Sequence, residues 1–269
     1  MLLPTATEPT TKEMALIITG FQRSGKSLLR KLCNSHPEIR LTDGFNNFKK
    51  LNVPFPVHLS ALRGPSHKRP LKDSVGKSPL HLLFRNGRFM VRYFTRLFTC
   101  GRWVVSVDDV ETTLRSVLQA SVVGDVYGQY IYILRRLAKL PNLKLAIIYR
   151  DCRDATSAFL KTIRKNPRNG AYFKECKTIE RVAAQWVQAI ENMQQHAENV
   201  NVIRYEELVT DPRKVVEMLG AWLGVDPHKF QYGKISSAWI GEHRESLSQE
   251  EIARIVSVAG TAMKALRYL

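Results

Sequence analysis

The sequence predicts an α/β fold: a mainly parallel sheet with helices on both faces, three layers in all. Three observations carry this. Short apolar runs alternate along the chain with helical patterns, and strands alternating with helices build such sheets. A glycine-containing turn, Gly20-Phe21-Gln22-Arg23-Ser24-Gly25-Lys26-Ser27, joins the first apolar run to the first helix. The chain has 269 residues, 44% hydrophobic and 24% charged, ordinary globular values with length enough for a full core.

In chain order, residues 1–13 are rich in Thr and Pro and read as a disordered lead-in without the pattern of a secretory signal. Residues 14–269 are expected to form one domain. The run 15–19 reads as a buried strand and 27–33 as the helix after it. Residues 36–80 hold many turn formers, among them Pro37, Gly44, Pro54 and Gly64, and read as mostly irregular with short helices. Residues 81–99 read as an amphipathic helix. Phe84, Val91, Phe94 and Phe98 recur at helical spacing while Arg85, Arg88, Arg92 and Arg96 line another face. The bland interpretation is a solvated basic face over a core-facing stripe; the alternative is a landing strip for an anionic acceptor or a lipid headgroup. Strands are expected at 103–107, 121–123, 143–149 and 200–205. Helices are expected at 111–120, 127–140, 154–164, 178–198, 212–223 and 249–266. In open α/β sheets ligands lie beyond the carboxyl ends of the strands. The loops at 20–27, 150–154 and 205–211 all follow strands and should share one rim.

The formal net charge is +17. Such a field attracts anionic small molecules, polyanions or anionic lipid surfaces without choosing among them. Nothing in the motifs points to a specific nucleic-acid partner. Cys33, Cys100, Cys152 and Cys176 show neither metal-ligand spacing nor a disulfide framework, so a reducing, cytoplasmic setting is the simpler expectation, with no metal. No stretch approaches the roughly 20 apolar residues of a membrane span, which leaves peripheral membrane contact.

A turn that opens a helix after a strand aims several backbone N–H groups into one concavity, and the helix dipole adds positive charge. An anion is its natural occupant. Read literally, the loop satisfies the nucleoside-triphosphate pattern G-x-x-x-x-G-K-[ST]. That chemistry also needs an apolar strand ending in a magnesium-holding aspartate, and residues 103–108 (Trp-Val-Val-Ser-Val-Asp) match by letter.

Three segments together resemble another family. The loop, followed by Asn34-Ser35-His36-Pro37, resembles the 5′-phosphosulfate loop of sulfotransferases. Ile147-Ile148-Tyr149-Arg150-Asp151-Cys152-Arg153-Asp154 is similar to that family's 3′-phosphate motif, and Arg204-Tyr205-Glu206-Glu207-Leu208-Val209-Thr210-Asp211-Pro212 to a third element. The resemblance runs from residue 15 to about 225 and points to bacterial and tyrosylprotein-like members. It implies a P-loop NTPase-like sulfotransferase fold using 3′-phosphoadenosine-5′-phosphosulfate (PAPS), with PAP as product and no metal. The acceptor would be a small molecule, glycan or peptide, possibly anionic, taken at a hydroxyl or amine.

By this resemblance Arg23, Ser24, Gly25, Lys26, Ser27 and Leu28 would hold the 5′ end. Arg150 suits the 3′-phosphate, since guanidinium binds phosphate oxygens bidentately; a salt bridge to Asp151 or Asp154 is its structural alternative. Arg23, assisted by Lys26, would stabilise charge on the bridging oxygen. Tyr205 would contact the adenosine or simply fill the core, and Trp239, His243 and Arg244 suggest a flap over the nucleotide.

The chain departs from the pattern in four places. Lys26 and Ser27 replace two hydroxyl residues. The 3′-phosphate serine position is Ala158, with Ser157 one residue short. In Gly124-Asp125-Val126-Tyr127-Gly128, Val126 stands where the family has lysine. The general-base position falls on Gly44, leaving Asp43 the nearest carboxylate and the candidate base. A homologue that binds PAP(S) but is catalytically impaired is therefore a further alternative. His36, before Pro37, reads as a helix-ending structural residue.

Overall fold

The computed structural model describes residues 13–62, 71, 78–100, 103–140, 142–165, 178–233 and 235–269. The lead-in expected at 1–13 lies outside them apart from Glu13, as do His67, Cys176 and most of the turn-rich stretch at 63–77.

Five parallel strands form the central sheet: β1 (Met14–Thr19), β2 (Ile39–Asp43), β5 (Val122–Val126), β6 (Leu143–Tyr149) and β7 (Asn201–Arg204), in the spatial order β2-β5-β1-β6-β7. A separate two-residue antiparallel pair joins β3 (Val53–Pro54) to β4 (Val104–Val105). In β1 every residue is buried, because β5 and β6 flank it and both faces are covered. Alternate β1 side chains enter two cores. Ala15 and Ile17 join Val123, Leu145 and Ile147 on one face; Leu16 and Ile18 join Val122, Ala146 and Ile148 on the other. These are the three layers the sequence predicts.

The first core is closed by α3 (Pro79–Thr99), α4 (Val107–Leu118), α6 (Cys152–Lys165), α7 (Ile179–Gln194) and α11 (Gln249–Ala265). The second is closed by α1 (Lys26–Ser35), α8 (Tyr205–Thr210) and α9 (Pro212–Leu223). Smaller helices are α2 (Phe55–Ala61), α5 (Leu134–Leu137) and α10 (His243–Ser246), with 3₁₀ turns at Gly128–Ile133, Ala197–Asn199 and Pro227–Lys229. His36 ends α1 as expected: its ring lies 3.0 Å from the Asp226 carbonyl, and its other nitrogen accepts the Glu38 N–H.

Four expectations are corrected. Residues 39–43, read as irregular, are the edge strand β2. The expected helix at 127–140 is a 3₁₀ turn followed by only four α-helical residues. The expected strand at 103–107 shrinks to β4, outside the central sheet, and Asp108 lies in the first turn of α4 beside a capping box of Ser106 and Asp109. Residues 103–108 thus form no strand of the central sheet ending in a metal-holding carboxylate. Finally, Phe84, Val91 and Phe98 do not face the core; Phe89, Met90, Tyr93 and Leu97 do. Helical periodicity offered two apolar stripes, and the second of them is buried.

Candidate active site at the carboxyl ends of the strands

The loop after β1 is threaded through a gap that only glycine permits. Gly20 has φ +142°, and a Cβ there would lie 2.1 Å from the Ile148 carbonyl oxygen of β6. Gly25, at φ +102°, caps α1, and a Cβ on it would meet the Tyr205 ring at 2.4 Å. Arg23, at the tip, also has positive φ (66°), which places an exposed side chain on a strained turn.

This leaves α1 with no side-chain cap and no acidic residue in its first turn. The first N–H groups of a helix lack intrahelical partners. Ser24 is fully buried, and its hydroxyl has no hydrogen-bond partner among the described residues. Ser27 is exposed at the helix start, and Leu28 is half-buried, its N–H bonded to the Gly25 carbonyl at 2.9 Å. The loop therefore has unspent donors and a dipole, the requirements of a phosphate or sulfate cradle.

Lys26 folds back, its Nζ donating to the Phe21 carbonyl at 2.5 Å. Burial, then the charge of Arg23, holds its pKa down to about 7, with Asp43 pulling the other way. Partial desolvation at the loop also lowers the pKa of the solvent-exposed Arg23. Asp43 ends β2 and stands half-buried, 4.0 Å from the Arg30 guanidinium. Its segment is fixed by Asp125, a fully buried carboxylate at the end of β5. Asp125 accepts from the Thr42 hydroxyl (2.9 Å), the Tyr130 hydroxyl (2.8 Å) and the N–H groups of Phe45 (3.2 Å), Asn46 (2.7 Å) and Asn47 (3.3 Å). Burial raises its pKa against those bonds. The sequence placed Asp125 in a motif but gave no sign that it organises the turn after Asp43. Val126 beside it is buried in the second core and supplies no charge.

Arg150 follows β6. It is 4% exposed, its guanidinium lies 4.5 Å from the Tyr205 ring centre, and its Nη1 donates to the Arg23 carbonyl at 3.5 Å. The glycine loop and Arg150 thus share one rim. Asp154 pairs with Arg150 at 3.5 Å, the structural role the sequence offered as an alternative, whereas Asp151 pairs with Arg153 instead. The Trp239 carbonyl also accepts from Arg150, and the Trp186 indole N–H donates to the Arg150 carbonyl at 3.0 Å. The Arg150 Nε still lacks a partner.

Trp239 belongs to a strap, residues 235–246, that crosses this corner. Asp154 anchors it: one oxygen accepts the Gly241 N–H (2.8 Å), and the other accepts the His243 N–H (3.0 Å) and meets its ring Nδ1 (2.7 Å). The Ser157 hydroxyl, 1% exposed, is 2.5 Å from that of Ser246 on the same strap. The strap thus contains Trp239, His243 and Arg244, the tail residues expected to form a flap. Arg244 itself is exposed. The rim gathers Arg23, Ser24, Gly25, Lys26, Arg150 and Tyr205 tightly, with Asp43 two strands away beyond β5 and Ser157 engaged by the strap.

A parallel α/β sheet with a glycine loop at a helix start and a buried arginine on its carboxyl rim defines a class of α/β proteins suited to receive an anion there. Within that class the chain belongs to the sulfotransferase family, an enzyme family whose sequence model matches residues 15–229. Among solved structures it resembles the sulfotransferase domain from the curacin biosynthetic pathway, with 16% identity and a TM-score of 0.50, over 91% of this chain and 96% of that one. It also resembles sulfotransferase STF9 from Mycobacterium avium, with 14% identity and a TM-score of 0.50, over 96% and 77%. Mouse SULT7A1, solved complexed with PAP, aligns at 13% identity and a TM-score of 0.46, over 94% and 85%. No curated protein sequence matches the chain. Among the described residues no His, Cys, Asp and Glu cluster suits a metal ion, and no helix is long and apolar enough to cross a membrane.

Proposed function

We propose that the chain moves a sulfuryl group from PAPS to a hydroxyl or amine acceptor by in-line displacement. The observation that carries this reading is the contact between Arg150 and the loop at Arg23: one rim offers two cationic cradles close together, as a nucleotide charged at both ends requires. The orphan hydroxyl of Ser24 and the uncapped start of α1 fit a 5′-phosphosulfate, and the free Nε of Arg150 fits a 3′-phosphate. PAPS, when bound, supplies the sulfuryl group and a leaving phosphate oxygen. Arg23 and protonated Lys26 stabilise the charge that grows on this oxygen as its bond to sulfur breaks, which favours the transition state over the ground state. Asp43 takes the acceptor proton as the new bond to sulfur forms. Gly25 keeps Tyr205 against the loop, where its ring would border the adenosine.

The test is thermal unfolding with PAP, with ADP plus magnesium and with ATP plus magnesium. A ligand that binds only the native state raises the melting temperature in step with affinity. PAP without metal is expected to stabilise the protein, Arg150→Ala to abolish the shift, and Arg23→Ala to weaken it. Stabilisation by magnesium nucleotides alone would overturn the proposal. A second reading, binding without transfer, is favoured by one observation: Val126 is a buried apolar residue where the family places a cation. It predicts a full PAP shift with no sulfated product across a broad acceptor panel.

A further inference from the structure

Helix α3 has three distinct faces. Each residue of a helix turns by about 100°, so Phe89, Met90, Tyr93 and Leu97 form one side, and it is buried. Roughly a third of a turn on, Leu80, Phe84, Val91 and Phe98 form a second apolar stripe, 61% to 71% exposed. Arg88, Arg92 and Arg96 occupy the third side and are exposed. From Leu80 to Phe98 the stripe is about 27 Å long at 1.5 Å per residue.

At its carboxyl end the stripe continues onto the antiparallel β3–β4 pair. The Phe98 ring packs on Phe55 (5.8 Å between centres), and the Phe55 N–H donates to the Trp103 carbonyl at 2.8 Å. Trp103 itself is 66% exposed and Val104 47%.

We infer that this face is a docking surface for a lipid bilayer carrying anionic headgroups. A helix lying in a membrane interface needs an apolar stripe to enter the acyl boundary, arginines beside it at phosphate level, and aromatic residues at the edge. All three are present, and the chain's net charge of +17 draws it to an anionic surface. A second copy of the chain is a poor occupant. Two such stripes in contact would bring the Arg88, Arg92 and Arg96 rows toward each other, a like-charge juxtaposition that an anionic surface reverses.

The docked orientation bears on the rim. The buried side of α3 holds Phe45, whose ring lies 5.5 Å from Phe89 and 5.1 Å from Tyr93. Phe45 is two residues past Asp43, so docking brings the Asp43 end of the rim to about one helix diameter, roughly 10 Å, from the bilayer.

The experiment is co-sedimentation of the full chain with vesicles of phosphatidylcholine, alone or mixed with phosphatidylserine. Binding is expected to the mixed vesicles and to be weak to phosphatidylcholine alone. Phe84→Ser with Phe98→Ser should lower the partition coefficient roughly a hundred-fold, about ten-fold per ring. Reversing the charges with Arg88→Glu, Arg92→Glu and Arg96→Glu should lower it at least about a hundred-fold, since each arginine near an anionic surface contributes about five-fold. All five side chains are exposed, and an unchanged melting temperature in both variants checks the fold. The inference is overturned if the parent chain stays in solution with mixed vesicles, or if the double Phe variant sediments as well as the parent. It is equally overturned if the chain binds neutral vesicles as strongly as charged ones. A lipid-free dimer that the Phe substitutions dissolve would assign the face to self-association instead.

Discussion

Lys26 shows how one side chain's surroundings set a measurable property of the site. Its amine is buried beside Arg23 and bonded to the Phe21 carbonyl, and its pKa falls from 10.5 to about 7. The folded value lies below the unfolded one, so the unfolded chain binds more protons between those two pH values. This group therefore lets stability rise with pH across the window from about 7 to 10.5. An anion in the loop favours the charged amine, so binding above about pH 7 must take up a proton. PAP affinity is expected to be several-fold weaker near pH 8 than near pH 7, with calorimetric heats that change with the buffer's ionisation enthalpy. Lys26→Met should bind more weakly at both values and lose the buffer dependence. Buffer-independent heats in the parent chain would show that Lys26 is already protonated, or too distant to respond. The loop was legible in the sequence because its chemistry is local: strand, glycine turn, helix. The depressed pKa was not, since it comes mainly from burial of the amine, which only the folded packing sets, with Asp43 on another strand opposing it.

At the level of elements, what could be read followed from how each element is buried. β1 and β6 sit inside the sheet and are rich in apolar residues, β6 with Lys144 as its one charged residue, so both stand out in the sequence, and the ends expected for β6 are those observed. β2 is a five-residue edge strand whose Arg40 and Thr42 break the apolar run between Pro37 and Gly44, and it was read as irregular. In α3 the pattern established a helix but not which of two apolar stripes packs inward, because both satisfy the same period. The tail residues of the strap suggest a flap, but its partner lies 87 to 89 residues away in sequence, at Asp154, where no local pattern reaches. Its attachment yields a local expectation. Asp154→Ala removes charge-assisted bonds to Gly241 and His243, a local loss of about 3 kcal/mol. Amide hydrogen exchange at residues 241–247 should then accelerate roughly a hundred-fold, with β1 amides unchanged. Equal acceleration in β1 would mean the strap opens only with the whole fold. In the parent chain, PAP bound as proposed should alter exchange in this same segment, because its 3′-phosphate would compete with the Trp239 carbonyl for Arg150.

For the molecule as a whole, topology and charge act together. The order β2-β5-β1-β6-β7 brings the ends of β1, β6 and β7 side by side, so three motifs spread over some 190 residues of sequence converge on one rim. Their shared position was legible because strands that alternate with helices all run the same way. What stayed hidden was the depth of each cradle and the turn that Asp125 ties down. The excess of 41 Lys and Arg over 24 Asp and Glu gives the chain as a whole a positive field. Such a field speeds the encounter with a multiply charged nucleotide but is screened within about 8–10 Å at physiological salt. Contacts made by the buried Arg150, by contrast, are largely shielded from salt. Stopped-flow measurement of PAP association is therefore expected to show an on-rate that falls roughly ten-fold from low to physiological ionic strength, while the off-rate stays nearly constant. A salt-dependent off-rate would mean that the bound nucleotide is held by exposed charges such as Arg23 rather than by Arg150. Arg150→Ala separates the two contributions: the salt dependence of its on-rate should persist while dissociation becomes much faster, because the field belongs to the entire chain and the grip to one buried side chain.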